Sequence, residues 1–403
     1  MVDKTPPIFM DRQSPPHIGT LIVLAGLSAL SMNLFLPSLP VMTEYFNTEY
    51  RLMQLSVALY LFMAALGQVI IGPLSDRFGR RSVMLWSILV FMLATLGCIL
   101  ATNIWVFLGF RMAQAAVVAG IVLSRAVVRD IAPTERAASM IGYVTMGMSL
   151  VPMVGPMLGG ALGQAFGWQS NFWLLLTLGG VVLWLAWSDM GETFTSAGGS
   201  FREQARQYPE LLTSRRFWGY CLAATFASGA FFAYLGGAPY VGDAVFGLPP
   251  ARLGFYFGAP ALGYLVGNFI TGRFSMRIGI HRMLLIGAIL LVLGLIPSLL
   301  LFRSSMGSAE IFFGFMTIIG LGNGMVLPNA NAGMLSVRPR LAGSAAGLGG
   351  AIMIGGGALL SGYSGALLRE SAGAMPLLWL MFASAVLSLM SVLWVIRAER
   401  RLG

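Results

Sequence analysis

The sequence predicts an all-α membrane protein, with twelve transmembrane helices in two six-helix bundles, on three observations. Hydrophobic residues make up 57% of the 403 positions and charged residues only 10%. A soluble domain carries about 25% charged residues, so a chain this long and this poor in charge cannot cover a water-exposed surface. Twelve apolar runs follow one another, each near the ~20 residues that a helix needs to cross a bilayer. A cationic, glycine-punctuated turn also occurs twice. Residues 72–81 read G-P-L-S-D-R-F-G-R-R, and residues 272–282 hold a degraded copy in which Gly72, Ser75, Arg77 and Gly79 are matched by Gly272, Ser275, Arg277 and Gly279. Both copies lie between long apolar runs, which marks the chain as an internal duplication of the kind found in secondary transporters.

Taken in order, the N-terminus up to His17 is polar, carries both signs and lacks the short apolar core of a removable signal peptide. The first run is therefore expected to stay as a helix. The first half places helices at 18–41, 52–73, 83–101, 104–128, 137–165 and 168–188. The second half places them at 217–241, 251–272, 283–302, 310–335, 342–368 and 376–396. Between them lies the most polar stretch of the chain. This gives a first bundle over 1–188, a cytoplasmic linker over 189–216 and a second bundle over 217–403. Residues 201–212 are expected to form a short amphipathic helix on the membrane surface. The 51 glycines suit close helix approach in lipid.

Orientation follows from the distribution of positive charge. With both termini in the cytoplasm, twenty of the 25 Lys and Arg residues fall on inner segments. Only Arg51, Arg252, Arg303 and Arg369 fall on outer ones, and Arg111 lies inside the fourth run. That bias matches the positive-inside rule, and an odd helix count would have scrambled it. The net charge of +10 is thus topological. The basic residues lack interleaved base-stacking aromatics, so no nucleic acid is expected as partner.

Chemistry of other kinds is not expected. Cys98 and Cys221 each sit inside an apolar run and read as packing residues. His17 and His281 fall at the cytoplasmic side, and no spaced His, Cys, Asp and Glu set makes a metal site. There is no phosphate-cradling Gly-x-x-x-x-Gly-Lys loop and no triad of nucleophile, base and orienting acid. The chain is read as a transporter without a cofactor, and not as an enzyme or sensor. It is expected to work as a monomer in membrane lipid.

Four groups of residues carry the functional reading. In the turn, Gly72 is expected to let the second helix approach a neighbour and Gly79 to permit the bend. Asp76 can accept hydrogen bonds from a nearby Arg or a helix N-terminus. Arg77, Arg80 and Arg81 are expected to hold the loop at the anionic inner surface. A simple topogenic basic loop is the other reading. In the fourth run, Arg111 is followed by Gln114. A charge at mid-membrane costs about 2.5–3.5 kcal/mol on insertion scales, so Arg111 should face the bundle interior or a water-filled cavity, as a structural hub or as a substrate or coupling group. In the fifth run, Gly142 is followed by Gly155, Pro156, Gly159 and Gly160, which leave a groove for a facing helix, while Pro156 weakens the hydrogen-bond ladder. The fourth group is dispersed: Tyr60, Tyr143, Tyr234, Tyr256, Tyr264, Asn268, Asn323, Asn329 and Asn331, with Phe231 and Phe232. Each reads singly as a packing residue, and together they read as an amphiphilic cavity lining.

These motifs carry a resemblance. Residues 72–81 resemble the loop 2–3 signature of the major facilitator superfamily, G-x-L-x-D-R-x-G-R-R, and Arg111 with Gln114 resembles its helix 4 pattern. The resemblance implies the major facilitator fold, with Asp76 latching the two bundles in the outward-open state. Met276 stands at the matching place in the second half, so such a latch is asymmetric. Gly142 and the block Gly155, Pro156, Gly159 and Gly160 resemble the G-x8-G-x3-G-P-x-x-G-G signature of the drug and proton antiporters. Val151 departs from its second glycine. Arg125 to Asp130 read R-A-V-V-R-D, and with Glu135-Arg136-Ala137-Ala138 and the helix 1 ending N-L-F-L-P-S-L-P they resemble the bicyclomycin- and chloramphenicol-resistance (Bcr/CflA) branch. The resemblance implies multidrug efflux: secondary active export of drug-like small molecules across a bacterial inner membrane, coupled to proton entry, conferring antibiotic resistance. Members of that branch commonly have Asp where this chain has Asn33. The fifteen carboxylates all fall outside the cores of the twelve runs, so the carrier of the proton is not evident. A proton-independent facilitator or exchanger of a metabolite is the alternative. The residues expected to form the substrate and coupling site are Asn33, Arg111, Gln114, Tyr143, Tyr234 and Asn329.

Overall fold

The computed structural model of the chain describes residues 9–131, 134–193, 208–338, 341–368 and 373–400. Within these, the side chains at 129, 134–139, 141–143, 145–147, 149–150, 152–153 and 342–343 are not described. The described residues are helical with short turns. The helices are α1 (Ile18–Tyr45), α2 (Tyr50–Phe78), α3 (Arg80–Leu100), α4 (Ile104–Val128, continuing to Ile131), α5 (Thr134–Phe166) and α6 (Gln169–Asp189). After the linker come α7 (Arg215–Val245), α8 (Pro250–Ile278), α9 (Ile280–Arg303), α10 (Ala309–Ser336), α11 (Ala342–Leu367) and α12 (Met375–Arg400). Eleven helices are long and apolar enough, among the described residues, to cross a membrane. The remaining one, α5, is 33 residues long. The chain is a multi-pass membrane protein.

The breaks within helices have local causes. In α1 the backbone tightens to a 3₁₀ turn over Leu36–Ser38, where Pro37 and Pro40 each remove a backbone donor. In α8 the helix is interrupted at Phe257, because Pro260 cannot donate to the carbonyl of Tyr256. Both copies of the duplicated turn adopt one backbone conformation: Gly79 has φ 90°, ψ 145° and Gly279 has φ 90°, ψ 151°. A side chain is rarely tolerated there, so each glycine ends one helix and starts the next within a single residue.

Packing sorts the helices into two groups. In the first, α1 packs on α4, α5 and α6, α3 on α4 and α6, and α2 on α4. In the second, α7 packs on α10, α11 and α12, α10 on α8 and α9, and α9 on α12. The most extensive contacts between the groups are those of α2 with α11 and of α5 with α8, with smaller ones of α7 on α1 and α2 and of α8 on α1. Exchanging the halves turns one of the two large pairs into the other, as a duplicated fold requires.

The ends of the linker are not linker. Asp189, expected to begin it, is the last residue of α6 and is 0% exposed. Its carboxylate accepts from Met10 N–H at 2.8 Å, His17 N–H at 2.9 Å and Thr20 Oγ1 at 2.6 Å, which ties the N-terminal segment and the start of α1 to the end of α6. Arg215 and Arg216 open α7. Of the expected amphipathic helix, 201–207 lie outside the described residues, and 208–212 are helical.

Candidate functional site

Arg111 is the centre of the first bundle. It is 1% exposed. Nη1 donates to Gln114 Oε1 at 2.6 Å, and Nη2 donates to the Ser31 carbonyl at 2.9 Å. The guanidinium lies between two rings, 4.3 Å from the Phe35 centroid and 4.1 Å from that of Tyr60. Gln114 passes the chain on, its amide donating to Thr95 Oγ1 at 2.7 Å. The cost of a charge in lipid is met by neutral acceptors and aromatic faces from α1, α2 and α3. The same face of α4 that carries Arg111 carries Gln114 one turn later, which is why the two meet.

Asn33 is two residues beyond Ser31 and turns to another neighbour. It is 0% exposed, its amide donates to the Ala29 carbonyl at 2.7 Å, and its Oδ1 has no hydrogen-bond partner among the described residues. It faces α5. A methyl group on Gly155 would lie 3.7 Å from Asn33 Cβ. Along the same face, a methyl on Gly159 would lie 1.7 Å from the Leu34 carbonyl oxygen, so only glycine lets α1 and α5 meet. The other face of the block meets the second bundle. A methyl on Gly160 would lie 2.2 Å from the Pro250 carbonyl oxygen, and one on Gly254 would lie 2.2 Å from that of Pro156. The block Gly155, Pro156, Gly159 and Gly160 is thus shared between α1 of its own bundle and α8 of the other.

This contact belongs to a seam at the end of the molecule opposite the duplicated turns. Tyr50 Oη donates to the Gly236 carbonyl at 2.9 Å. Gln54 is fully buried and donates to the Ser361 carbonyl at 2.5 Å and to Ser361 Oγ at 2.9 Å. A methyl on Gly236 or Gly365 would strike the Gln54 amide, so the second bundle offers it a socket of small residues. Ala251 N–H donates to Gln164 Oε1 at 3.2 Å. Tyr50 and Gln54 were not singled out from the sequence. A lone Gln in an apolar run is the only signal it carries.

At the other end, Arg80 rather than the loop surface holds the turn. Arg80 is 7% exposed, pairs with Asp76 at 2.5 Å and with Asp130 of α4 at 3.1 Å, and donates to Ser75 Oγ. The expectation that Arg80 faces anionic lipid is corrected: it is an internal cross-link between the turn and α4. Gly72 is corrected too. A methyl there would meet nothing within 4 Å among the described residues, so it admits none of them closely, although its carbonyl accepts from Ser75 Oγ at 2.7 Å. Arg77 stacks on Phe78, 5.2 Å from the ring centroid, and Arg81 Nη2 donates to the Trp187 carbonyl at 3.1 Å. In the second half Met276 is 98% exposed and no counterpart of this network occurs among the described residues.

The other expected site residues are apart. Tyr234 is buried among Phe231, Phe257, Phe312 and Phe313, and its hydroxyl has no partner among the described residues. Asn329 accepts from Ser275 Oγ at 2.9 Å beside the second turn. Gly142 and Tyr143 lie on α5 with side chains outside the described residues. Arg111 and Gln114 are therefore brought together, Asn33 is brought to the α5 block, and Tyr234 and Asn329 belong to separate parts of the second bundle.

The Major Facilitator Superfamily family model matches residues 21–362. A chloramphenicol resistance protein of Pseudomonas aeruginosa is 30% identical over 91% of this chain and 88% of its own length. A bicyclomycin resistance protein homolog of Haemophilus influenzae is 25% identical over 93% and 94%. Among solved structures, a bacterial homologue of the human lysosomal transporter Spinster, in an inward-facing and occupied conformation, superposes with a TM-score of 0.71 at 17% identity, covering 95% of this chain and 96% of the other. That last likeness speaks to the fold alone.

Proposed function

Because the chain belongs to the Major Facilitator Superfamily, we propose that it exports drug-like small molecules by alternating access, driven by proton entry, from a bacterial inner membrane with both termini in the cytoplasm. The relatives' names, chloramphenicol and bicyclomycin resistance, support the cargo class. The observation that carries the reading is the α5 block, where Gly159 abuts α1 and Gly160 abuts α8. One short segment touches both the wall of the first bundle and the moving partner, so a shift at Asn33 is felt directly at the seam. With the basic loops inside, that seam is the outer gate, and in this conformation it is closed.

Asp76 is the proposed inner latch. The helices α2 and α11 run antiparallel, with Gln68 beside Gly350 and Ala65 beside Gly355. Continuing that pairing by eight residues brings Asp76 level with 342, where α11 begins. A carboxylate at a helix N-terminus is stabilised by about 0.3–1 kcal/mol or more. Asp76→Asn keeps the shape, loses that term and weakens the Arg80 ion pair. It is expected to lower transport several-fold, while Met276→Ala, at an exposed site, leaves it within the scatter of the native rate. Equal damage at both positions in a vesicle efflux assay sinks the asymmetric latch.

The coupling itself is tested in inverted vesicles. An imposed inward-acid gradient is expected to drive accumulation of cargo, and its collapse is expected to slow it by about tenfold, or about 1.4 kcal/mol. Accumulation against a concentration gradient that ignores the collapse overturns proton antiport. Asn33, buried and without a titratable group, favours exchange of one solute for another as the reading that then takes its place.

A further inference from the structure

A groove of about 520 Å³ opens between α3 and α6 on the outer surface of the first bundle, lined by Ser82, Leu85, Trp86, Leu89, Gly180, Leu183, Trp184 and Trp187. None of the residues assigned to transport lines it. Its chemistry changes along its length. Going away from the duplicated turn, α3 contributes Ser82, then Leu85 and Trp86, then Leu89. Over the same distance α6 contributes Trp187, then Trp184 and Leu183, then Gly180. Seven residues of helix span about 10 Å, so the groove descends that far from the charged end of the bundle into the apolar zone.

The mouth is cationic. The Arg12 guanidinium lies 3.4 Å from the centroid of the Trp187 ring, and Arg12 is exposed. Arg81 Nη2 donates to the Trp187 carbonyl at 3.1 Å. Two guanidiniums therefore flank the tryptophan that forms the mouth, beside the exposed Ser82. The nearby carboxylates have donors of their own. Asp11, next to Arg12, accepts from the Gln13 N–H at 2.9 Å. The exposed Glu192 is held by the backbone N–H groups of Arg80 at 2.8 Å and Arg81 at 3.3 Å, and Asp189 is buried on Met10, His17 and Thr20.

We propose that this groove binds one anionic phospholipid, its phosphate against Arg12 and Arg81 and an acyl chain along Trp86, Leu89 and Leu183. Tryptophan suits the level where chain meets headgroup, and basic pockets between helices at the cytoplasmic side select anionic headgroups. A zwitterionic lipid would fill the apolar part equally and bring a phosphate, but its ammonium group would sit beside the two guanidiniums and offset that attraction, which favours a headgroup of net negative charge. The occupant is a lipid and not a soluble anion, because most of the lining is apolar and open to the side of the bundle.

Three of the nine tryptophans line the groove, which supplies the probe. The full chain is reconstituted in phosphatidylethanolamine bilayers, and part of the lipid is replaced by brominated phosphatidylglycerol or brominated phosphatidylethanolamine. Tryptophan quenching gives the relative binding constant of the two. The native chain is expected to favour phosphatidylglycerol by at least about fivefold, the effect of one basic residue near an anionic surface. Arg12→Gln is expected to reduce that preference about fivefold. Gly180→Leu fills the groove, since among the described residues a methyl there meets only Met92 Cε at 3.7 Å, and is expected to remove the selective component of quenching. Equal quenching of the native chain by the two lipids overturns the proposal, as does a preference that survives Arg12→Gln undiminished. The surface substitution keeps the test decisive even where Gly180→Leu fails to fold.

Discussion

Arg111→Ala is expected to insert in the membrane and to lose transport by more than about a hundredfold, or about 2.7 kcal/mol. The guanidinium is the one group that ties Ser31 on α1 to Gln114 on α4 while filling the space between Phe35 and Tyr60. Its removal leaves the Ser31 carbonyl and Gln114 Oε1 without their donor, each costing about 1–3 kcal/mol when buried, and opens a void beside two aromatic rings. Arg111→Lys is expected to recover little, because a point charge on a flexible stem reproduces neither the forked donors nor the flat stacking surface. Vesicle transport alongside thermal unfolding of the purified variants separates the outcomes. A native rate in Arg111→Ala would remove the residue from the transport machinery. A large fall in unfolding temperature with the cargo's half-saturation unchanged would make it a framework residue only.

The second large effect is expected at the α5 block, where neighbouring glycines should fail differently. Gly160→Ala puts a methyl 2.2 Å from the Pro250 carbonyl oxygen across the seam, and Gly159→Ala puts one 1.7 Å from the Leu34 carbonyl oxygen within the first bundle. Overpacking of this kind costs about 1–3 kcal/mol. At Gly160 that cost falls only on the closed seam, so transport is expected to drop about five- to 150-fold with little loss of stability. Spin labels at Glu49 and Arg252 should then report longer separations across the seam. At Gly159 the cost falls on every conformation, so the unfolding temperature is expected to drop while the label distances stay native. The same label distances in both variants would sink the assignment of Gly160 to the gate.

Helix number, order and the two-bundle grouping were legible because lipid imposes one requirement, an apolar stretch of fixed length, that needs no partner to be recognised. The ends were less legible for the same reason. Hydropathy reports where lipid stops and so predicts α2 over 52–73, whereas hydrogen bonding carries it to Phe78 and only the positive φ of Gly79 ends it. Arg111 and Gln114 were found together because helix periodicity puts them on one face. Contacts between bundles had no such signal. Gln54 and Ser361 meet only because α2 and α11 cross. Arg80 and Asp130 join a loop to a helix fifty residues on, and loop charge alone could not tell an internal cross-link from a surface arginine. The burial of Asp189 has no signal in the sequence, because a carboxylate at a helix end is normally solvated and its three donors come from the far N-terminal segment.

The composition of the seam has a consequence for how easily the molecule changes shape. It is made of backbone carbonyls, glycines and a few hydrogen bonds, donated by Tyr50 and Gln54 and accepted by Gln164, and no ion pair crosses it among the described residues. Parting it strips no charges of their partners and exposes carbonyls and amides that water can hydrate. Reversing a population from 1:99 to 99:1 takes about 5.5 kcal/mol of differential binding, and a ligand with micromolar affinity binds with about 8.2 kcal/mol in all. A weakly held cargo that prefers one conformation is then enough to tip the balance, with no part of the seam acting as a lock.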